Sequence, residues 1–405
     1  INNSTNGNIS FLGAVTYNVL AGSIYIACAN VDANAPPDLI IPVNNGPVTG
    51  IQVLPGMGNG TFGPPVNILS NTPSSVHGAA VGEVNGDGKA DTKRVLFGGF
   101  GIGDTHQLAN SIAHGPDGSL WFTQGLHAFS RVETAWGLAR LDKAGVWRLN
   151  PRTQKMEAFF NGGKAGHNCW GVAFDDYNQV FHKSGDRPDG YYSVPGLVNI
   201  PDPDEYHGVG NMFFSNPKTT GLEFIGTKAL PENIQGFALI GGYFGNVVEL
   251  HRVIDDGAGF KSEQLPKLVR SSSKAFRPVD VSVGPDGAIY LADWFNPVIG
   301  HYQASYVDPQ RDRTHGRIWR ISAKGFAPVK QPNLAAMNPG ELLAQLNSPE
   351  RWTRYQAKRL LFDLPSADVL KAADALIAQS SDERLLMEVC GIFEAHESPR
   401  PALLN

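Results

Sequence analysis

The sequence predicts a mainly β chain, a β-propeller of about six blades followed by a short α-helical extension, and three observations lead there. Glycine and proline are abundant, 46 and 28 of 405 residues, while charged residues make up only 18%. That composition favours many short strands joined by tight turns. Turn signals recur between apolar runs at Pro116-Asp117-Gly118, Asp175-Asp176-Tyr177-Asn178, Glu232-Asn233-Ile234-Gln235-Gly236 and Pro285-Asp286-Gly287, with steps of 59, 57 and 53 residues measured from Asp117 to Asp176, Asn233 and Asp286. A strand-turn-strand unit repeated at that period cannot bury both faces by itself, and a ring of blades solves the problem. From about Asn333 the apolar period becomes helical.

Residues 1–92 form the first compositional piece. Residues 1–88 contain no Lys or Arg, and all 33 basic residues follow from Lys89 onward, which marks a boundary near residues 83–93. Asp38–Val43 and the alternating run Thr49–Leu54 read as strands between Asn- and Gly-rich turns. GMGNGTFGPPVNIL followed by GEVNGDGKAD resembles the FG-GAP repeat of integrin-type propellers over roughly residues 30–91, with Asp38 and Asp91 in similar places 53 residues apart. The resemblance implies initial propeller blades. Glu83, Asn85, Asp87 and Asp91 supply oxygen ligands at the alternating spacing that calcium needs, with Gly86 and Gly88 permitting the turn. Asn-Gly-Asp-Gly is equally a good hairpin turn that needs no metal.

Residues 93–325 carry about four further blades. Val281, Val283, Ile289 and Leu291 alternate around Gly284-Pro285-Asp286-Gly287 as a hairpin. Beyond it, Asp293, Asn296, His301, Asp308, Arg311, Asp312, Arg313, His315 and Arg317 crowd a segment too irregular for one helix or strand, as functional loops do. Trp121, Trp170 and Trp294 read as packing between blades.

Residues 326–405 read as helices. Ser348-Pro349-Glu350 is a helix start, and Trp352, Tyr355 and Leu360 fall near one face. Val369, Leu370, Ala373, Leu376 and Ile377 make a second stripe, and Leu385, Leu386, Val389, Ile392 and Phe393 a third. The helices resemble the beginning of a HEAT-type array.

Several classes are excluded. A net charge of -5 and a pI near 6.1 argue against a nucleic-acid surface. Cys28, Cys169 and Cys390 are too few and scattered for a disulfide framework or metal knuckle. No run of eighteen apolar residues is present, so no transmembrane segment is expected. The chain begins at Ile1 without a signal peptide and ends within helical sequence, so a fragment of a longer protein is expected.

Polar clusters precede three of the blade strands: Asp104-Thr105-His106-Gln107, Gly166-His167-Asn168-Cys169-Trp170, and Phe276-Arg277-Pro278-Val279-Asp280. Equivalent placement in three blades would aim them at one end of a central channel, where propellers commonly hold ligands.

DTHQLANSIAHGPDGSLWFTQG, FRPVDVSVGPDGAIYLADWFNP and DRTHGRIWRISAKG resemble a membrane-bound dehydrogenase family of planctomycete-type bacteria, over about residues 88–400. That family is similar to soluble pyrroloquinoline-quinone (PQQ)-dependent glucose and sorbosone dehydrogenases. The resemblance implies a six-bladed propeller with PQQ on its axial face, and it puts His106 at the place of the base that takes the proton of a sugar or alcohol hydroxyl. An imidazole suits that task near neutral pH, while the quinone supplies the redox chemistry. Gln107, His167, Asn168, Arg277, Asp280, Asp293 and Asn296 would fall at or near cofactor-binding places. Arg277 is apt for a tricarboxylate because its planar fork pairs carboxylates. The pattern departs at His167, where the sugar dehydrogenases carry Arg, and the quinone-holding lysine has no counterpart. The resemblance further implies a periplasmic or extracellular protein that passes electrons to a haem c domain or cytochrome.

Two functions therefore compete. One is a quinoprotein-like oxidoreductase acting on a sugar or other alcohol. The other is a non-catalytic, calcium-stabilised propeller that binds carbohydrate or protein.

Overall fold

The computed structural model describes residues 15–19, 26–29, 38–45, 48–57, 61–70, 96–103, 107–162, 168–185, 190–193, 212–213, 215, 218–300 and 307–404. Five antiparallel sheets stand as propeller blades, here I to V in chain order. Blade I comprises Ala27–Ala29, Asp38–Asn45, Val48–Leu54 and Val66–Ser70. Blade II comprises Asn110–His114, Leu120–Gln124, Ala144–Asn150 and Lys155–Gly162, with the hairpin Phe129–Thr134 and Gly137–Asp142 inserted between its second and third strands. Blade III has Cys169–Phe174, Val180–Ser184 and Gly190–Tyr192. Blade IV has Thr220–Phe224, Ala238–Gly242, Val247–Asp256 and Gly259–Gln264, and Val269–Arg270 also pairs with Val247–Asp256. Blade V has Pro278–Val283, Ile289–Asp293 and Gly316–Ile321.

The outer strand of blade V comes from the other end of the chain. Val15–Val19 pairs antiparallel with Gly316–Ile321, from Val15 opposite Arg320 to Val19 opposite Gly316. This pairing covers an edge that would otherwise present open backbone groups. It also corrects the expected blade count: among the described residues five blades are present, not about six. Among the described residues, those before residue 93 supply blade I and a closing strand rather than two whole blades.

Apolar clusters between neighbouring blades form the core. Trp121, Val146 and Phe160 of blade II meet Val172, Phe174 and Val180 of blade III. Ala173 and Phe181 of blade III meet Leu222, Phe224 and Ile240 of blade IV, whose Leu239 and Val248 pack with Val281 and Leu291 of blade V. Tyr290 and Ile318 of blade V then meet Leu39 and Leu54 of blade I. Burial of this kind, at about 25 cal/mol per Å² of apolar surface, supplies most of the drive for folding.

The blades repeat in detail. Each first strand of blades II to V slips register near its start, between Asn110 and Ala113, Cys169 and Val172, Thr220 and Glu223, and Pro278 and Asp280. Such bulges bend the strand. Two of them hold left-handed backbone, at Ser111 (φ 53°) and Gly221 (φ 69°). All four expected turns join a first strand to a second. Asp117 accepts from the Ser119 N–H and Trp121 Nε1 and pairs with Arg148, whereas Asp286 accepts from the Ala288 N–H and Tyr290 hydroxyl and pairs with Arg320.

The C-terminal residues form α1 (Pro339–Ala344), α2 (Arg351–Asp363), α3 (Ser366–Ile377) and α4 (Glu383–Ala395). Asn338 and Glu341 close a reciprocal capping box on α1, a short helix that the apolar stripes do not reveal. Leu342, Leu361, Val369, Val389 and Phe393 belong to one cluster built within the helical segment. No described helix is long and apolar enough to cross a membrane.

Candidate functional site

The first strands of blades II, III and IV end at the helices. His114, at the end of the first strand of blade II, gives its backbone N–H to Tyr355 Oη of α2 at 3.4 Å. Asp176, just past the first strand of blade III, accepts from Arg351 at 3.0 Å and also from Arg354. Gly226, just past that of blade IV, accepts the Arg351 N–H at 2.8 Å. The strand starts therefore gather at the opposite end, away from α2. The predicted site residues that are described belong to those starts or to the loops at that end, except Asp293, which ends the second strand of blade V opposite Pro278. His106, His167, Glu83, Asn85, Asp87 and Asp91 lie outside the described residues.

Gln107 and Asn168 are brought together. Both are buried, at 3% and 8% exposure, and both press on Gly125, where an added Cβ would collide with Asn168 Oδ1 and the Gln107 side chain. Gln107 Oε1 accepts the His127 N–H at 2.6 Å, and its carbonyl accepts the Gly125 N–H at 3.0 Å. Trp170 Nε1 donates to Asn168 Oδ1 at 2.9 Å, so this tryptophan orients the amide.

Beside them lies polar chemistry that sequence reasoning missed. Lys183, fully buried on the second strand of blade III, directs its ammonium to the Ser184 carbonyl at 2.6 Å. Ser184 Oγ and Thr220 Oγ1 are buried and form no hydrogen bond. Buried hydroxyls are nearly always paired, so these two are left with unmet hydrogen-bonding capacity. The only signal in the sequence was a lysine within the apolar run VFHKS. Burial pushes the neighbouring Cys169 thiol up to about 12, which makes it inert as a nucleophile.

Arg277, Asp293 and Asn296 form a second group, in blade V. Arg277 Nε donates to the Asn296 carbonyl at 2.9 Å, Nη1 to the carbonyls of Tyr243 and Phe244 at 2.9 and 3.3 Å, and Nη2 to that of Pro297 at 3.2 Å. Burial lowers its pKa, against the attraction of Asp293. Asp293 accepts the N–H groups of Arg277 and Phe295 on Oδ1, and Arg317 Nε and Trp319 Nε1 on Oδ2. Asn296 Oδ1 accepts the Val298 N–H at 3.1 Å. The expected role of Arg277 as a carboxylate clamp meets a different arrangement: its fork holds the loops of blades IV and V at the mouth.

Asp280 lies further along the channel. Its oxygens accept the N–H groups of Ile26 at 3.1 Å and Val281 at 3.0 Å, tying blade V to blade I. Burial raises its pKa to about 7, opposed by those two hydrogen bonds, and Glu223 on the adjacent first strand adds to the rise. No group of three or more His, Cys, Asp or Glu suited to a metal occurs among the described residues.

The fold and the site define a β-propeller that carries the helices at one axial end and the predicted site residues at the other. The chain belongs to the family described as Domain of unknown function (DUF7133), whose model matches residues 79–196 and 207–325. No curated protein matches it. Solved structures similar to it include an oxidoreductase (glucose dehydrogenase) from Thermus thermophilus, with 15% identity, a TM-score of 0.43 and coverage of 76% of this chain and 100% of that one. A streptogramin B lyase matches with 12% identity, a TM-score of 0.39 and coverage of 77% and 98%. Virginiamycin B lyase from Staphylococcus aureus matches with 8% identity, a TM-score of 0.37 and coverage of 76% and 99%.

Proposed function

We propose that this propeller is an oxidoreductase-like protein acting on a sugar or other alcohol at its open axial mouth, with His106 as the base that takes the hydroxyl proton. The observation that carries this reading is the convergence of Gln107 and Asn168 on Gly125, beside the unpartnered hydroxyls of Ser184 and Thr220. Neutral amides and hydroxyls are the groups that recognise a polyol, because each can donate or accept. His106 directly precedes Gln107 in the chain.

The implied quinone fits this mouth poorly on the residues described. Arg277 turns its fork towards four carbonyls and Lys183 gives its buried ammonium to the Ser184 carbonyl, so neither cation is turned to a tricarboxylate, which depends on fixed positive charge. The redox partner is thus a proposal from the sequence resemblance, as are a calcium ion at Glu83, Asn85, Asp87 and Asp91, a haem c or cytochrome acceptor, and a periplasmic or extracellular location. Titration calorimetry with PQQ, followed by a dye-reduction screen over sugars with PQQ and calcium present, tests the reading. Saturable binding with turnover lost in H106A supports it. Sugar binding without turnover would instead support the second reading, a carbohydrate-recognition propeller, which the engaged state of Arg277 favours.

A further inference from the structure

We propose that the helical segment is a detachable stopper, lifting off the propeller as one body and opening the covered end of the axial channel while both parts stay folded. Two properties of the interface lead to this inference.

First, the cores are separate. The cluster containing Leu342, Leu361, Val389 and Phe393 is confined to residues after 333, whereas every propeller cluster draws its buried members from residues up to 323. Trp352 alone is packed against both a helical and a propeller cluster among the described residues. A unit with its own core can leave without unfolding, and small polar interfaces between such units are the ones that separate.

Second, the contacts across the boundary are largely ionic or polar. Asp176 of blade III takes Arg351 and Arg354, and Glu223 of blade IV lies 3.4 Å from Arg351. Arg148 of blade II reaches Glu394 of α4, and the Lys228 N–H donates to Glu350 at 2.9 Å. A small cleft of about 60 Å³ remains beside these pairs, lined by His114, Asp176, Arg354, Tyr355 and Lys358 among others. Asp176 and Glu394 keep 39% and 56% of their side-chain surface exposed, so water and salt reach these pairs and the attachment is sensitive to ionic strength.

Native-state hydrogen exchange on the whole chain tests the stopper. The reporters are the amides of Arg351, bonded to Gly226, and of Lys228, bonded to Glu350. They are expected to exchange at least tenfold faster than amides in Ile289–Asp293 and in α4, and faster still as salt rises. D176N should accelerate the reporters at least another tenfold and leave the two reference sets unchanged. If the wild-type reporters exchange in step with blade V and α4 at every salt concentration, or if D176N speeds all three alike, the segment is an integral part of one cooperative fold and the proposal fails. The wild-type salt series decides the matter even if D176N does not fold.

Discussion

Arg277 and Asn296 are joined side chain to backbone: the guanidinium Nε of one donates to the carbonyl of the other at 2.9 Å. The same guanidinium reaches Tyr243 and Phe244 on the neighbouring blade. One buried side chain therefore sets the spacing of two loops at the open mouth. R277A strands those carbonyls, and hydrogen bonds to charged groups are worth about 1.5–3 kcal/mol each. A loss of at least about 3 kcal/mol in urea unfolding is expected, with R277K intermediate because a single ammonium cannot span both loops.

Asp293 is the complement of that clamp. D293N removes the charge that answers Arg317 and sets an amide NH2 in place of one oxygen, against two of the four existing donors. Breaking a buried pair from one side costs roughly 3–5 kcal/mol. The thermal midpoint should fall accordingly, and D293N should be no milder than R277K.

Asp280 gives stability a pH dependence. The folded protein keeps a proton on this carboxyl up to about pH 7, whereas an unfolded aspartate releases it near about pH 3.9. Its contribution is therefore complete below the lower value and is lost as pH rises through the higher one, at no more than about 1.4 kcal/mol per pH unit. Urea unfolding across this range should show that decline in the wild type and a flatter profile in D280N.

Gly118 tests the seat of the helices. It holds φ +78°, and an added Cβ would meet Ala395 Cβ at 2.7 Å and Phe362 beyond it. G118A should weaken helix docking by about 1–3 kcal/mol, the usual cost of overpacking. Protease cleavage near residues 324–338 reads this out. G257A, where φ is +64° but no atom lies within 4 Å, controls for backbone strain.

Local chemistry made much of the fold legible. The Pro-Asp-Gly turns at Asp117 and Asp286 and the stripes through Val369 and Val389 encode their own conformations, and all appear where the sequence puts them. The blade count was not legible, because it depends on Val15–Val19 pairing with Gly316–Ile321 at the far end of the chain. Nor was the work of Arg277, whose partners are carbonyls that any residue could supply. The strand-start clusters were found because each directly precedes a blade strand that runs into a turn signal, whereas Lys183 and the unpartnered hydroxyl of Ser184 lie inside an ordinary strand. The docking of α2 on Asp176 spans 175 residues to Arg351 and leaves no local trace.

The central claim is that the open mouth, and not the helix-covered end, is where the protein acts. Turnover in the dye-reduction assay, with the best sugar or alcohol found, should fall at least about a hundredfold in N168A, since misplacing a positioned reactant by about 1 Å costs that much. It should stay within a few-fold of wild type in R354Q. Equal turnover in wild type and N168A, or a loss confined to R354Q, would contradict the account.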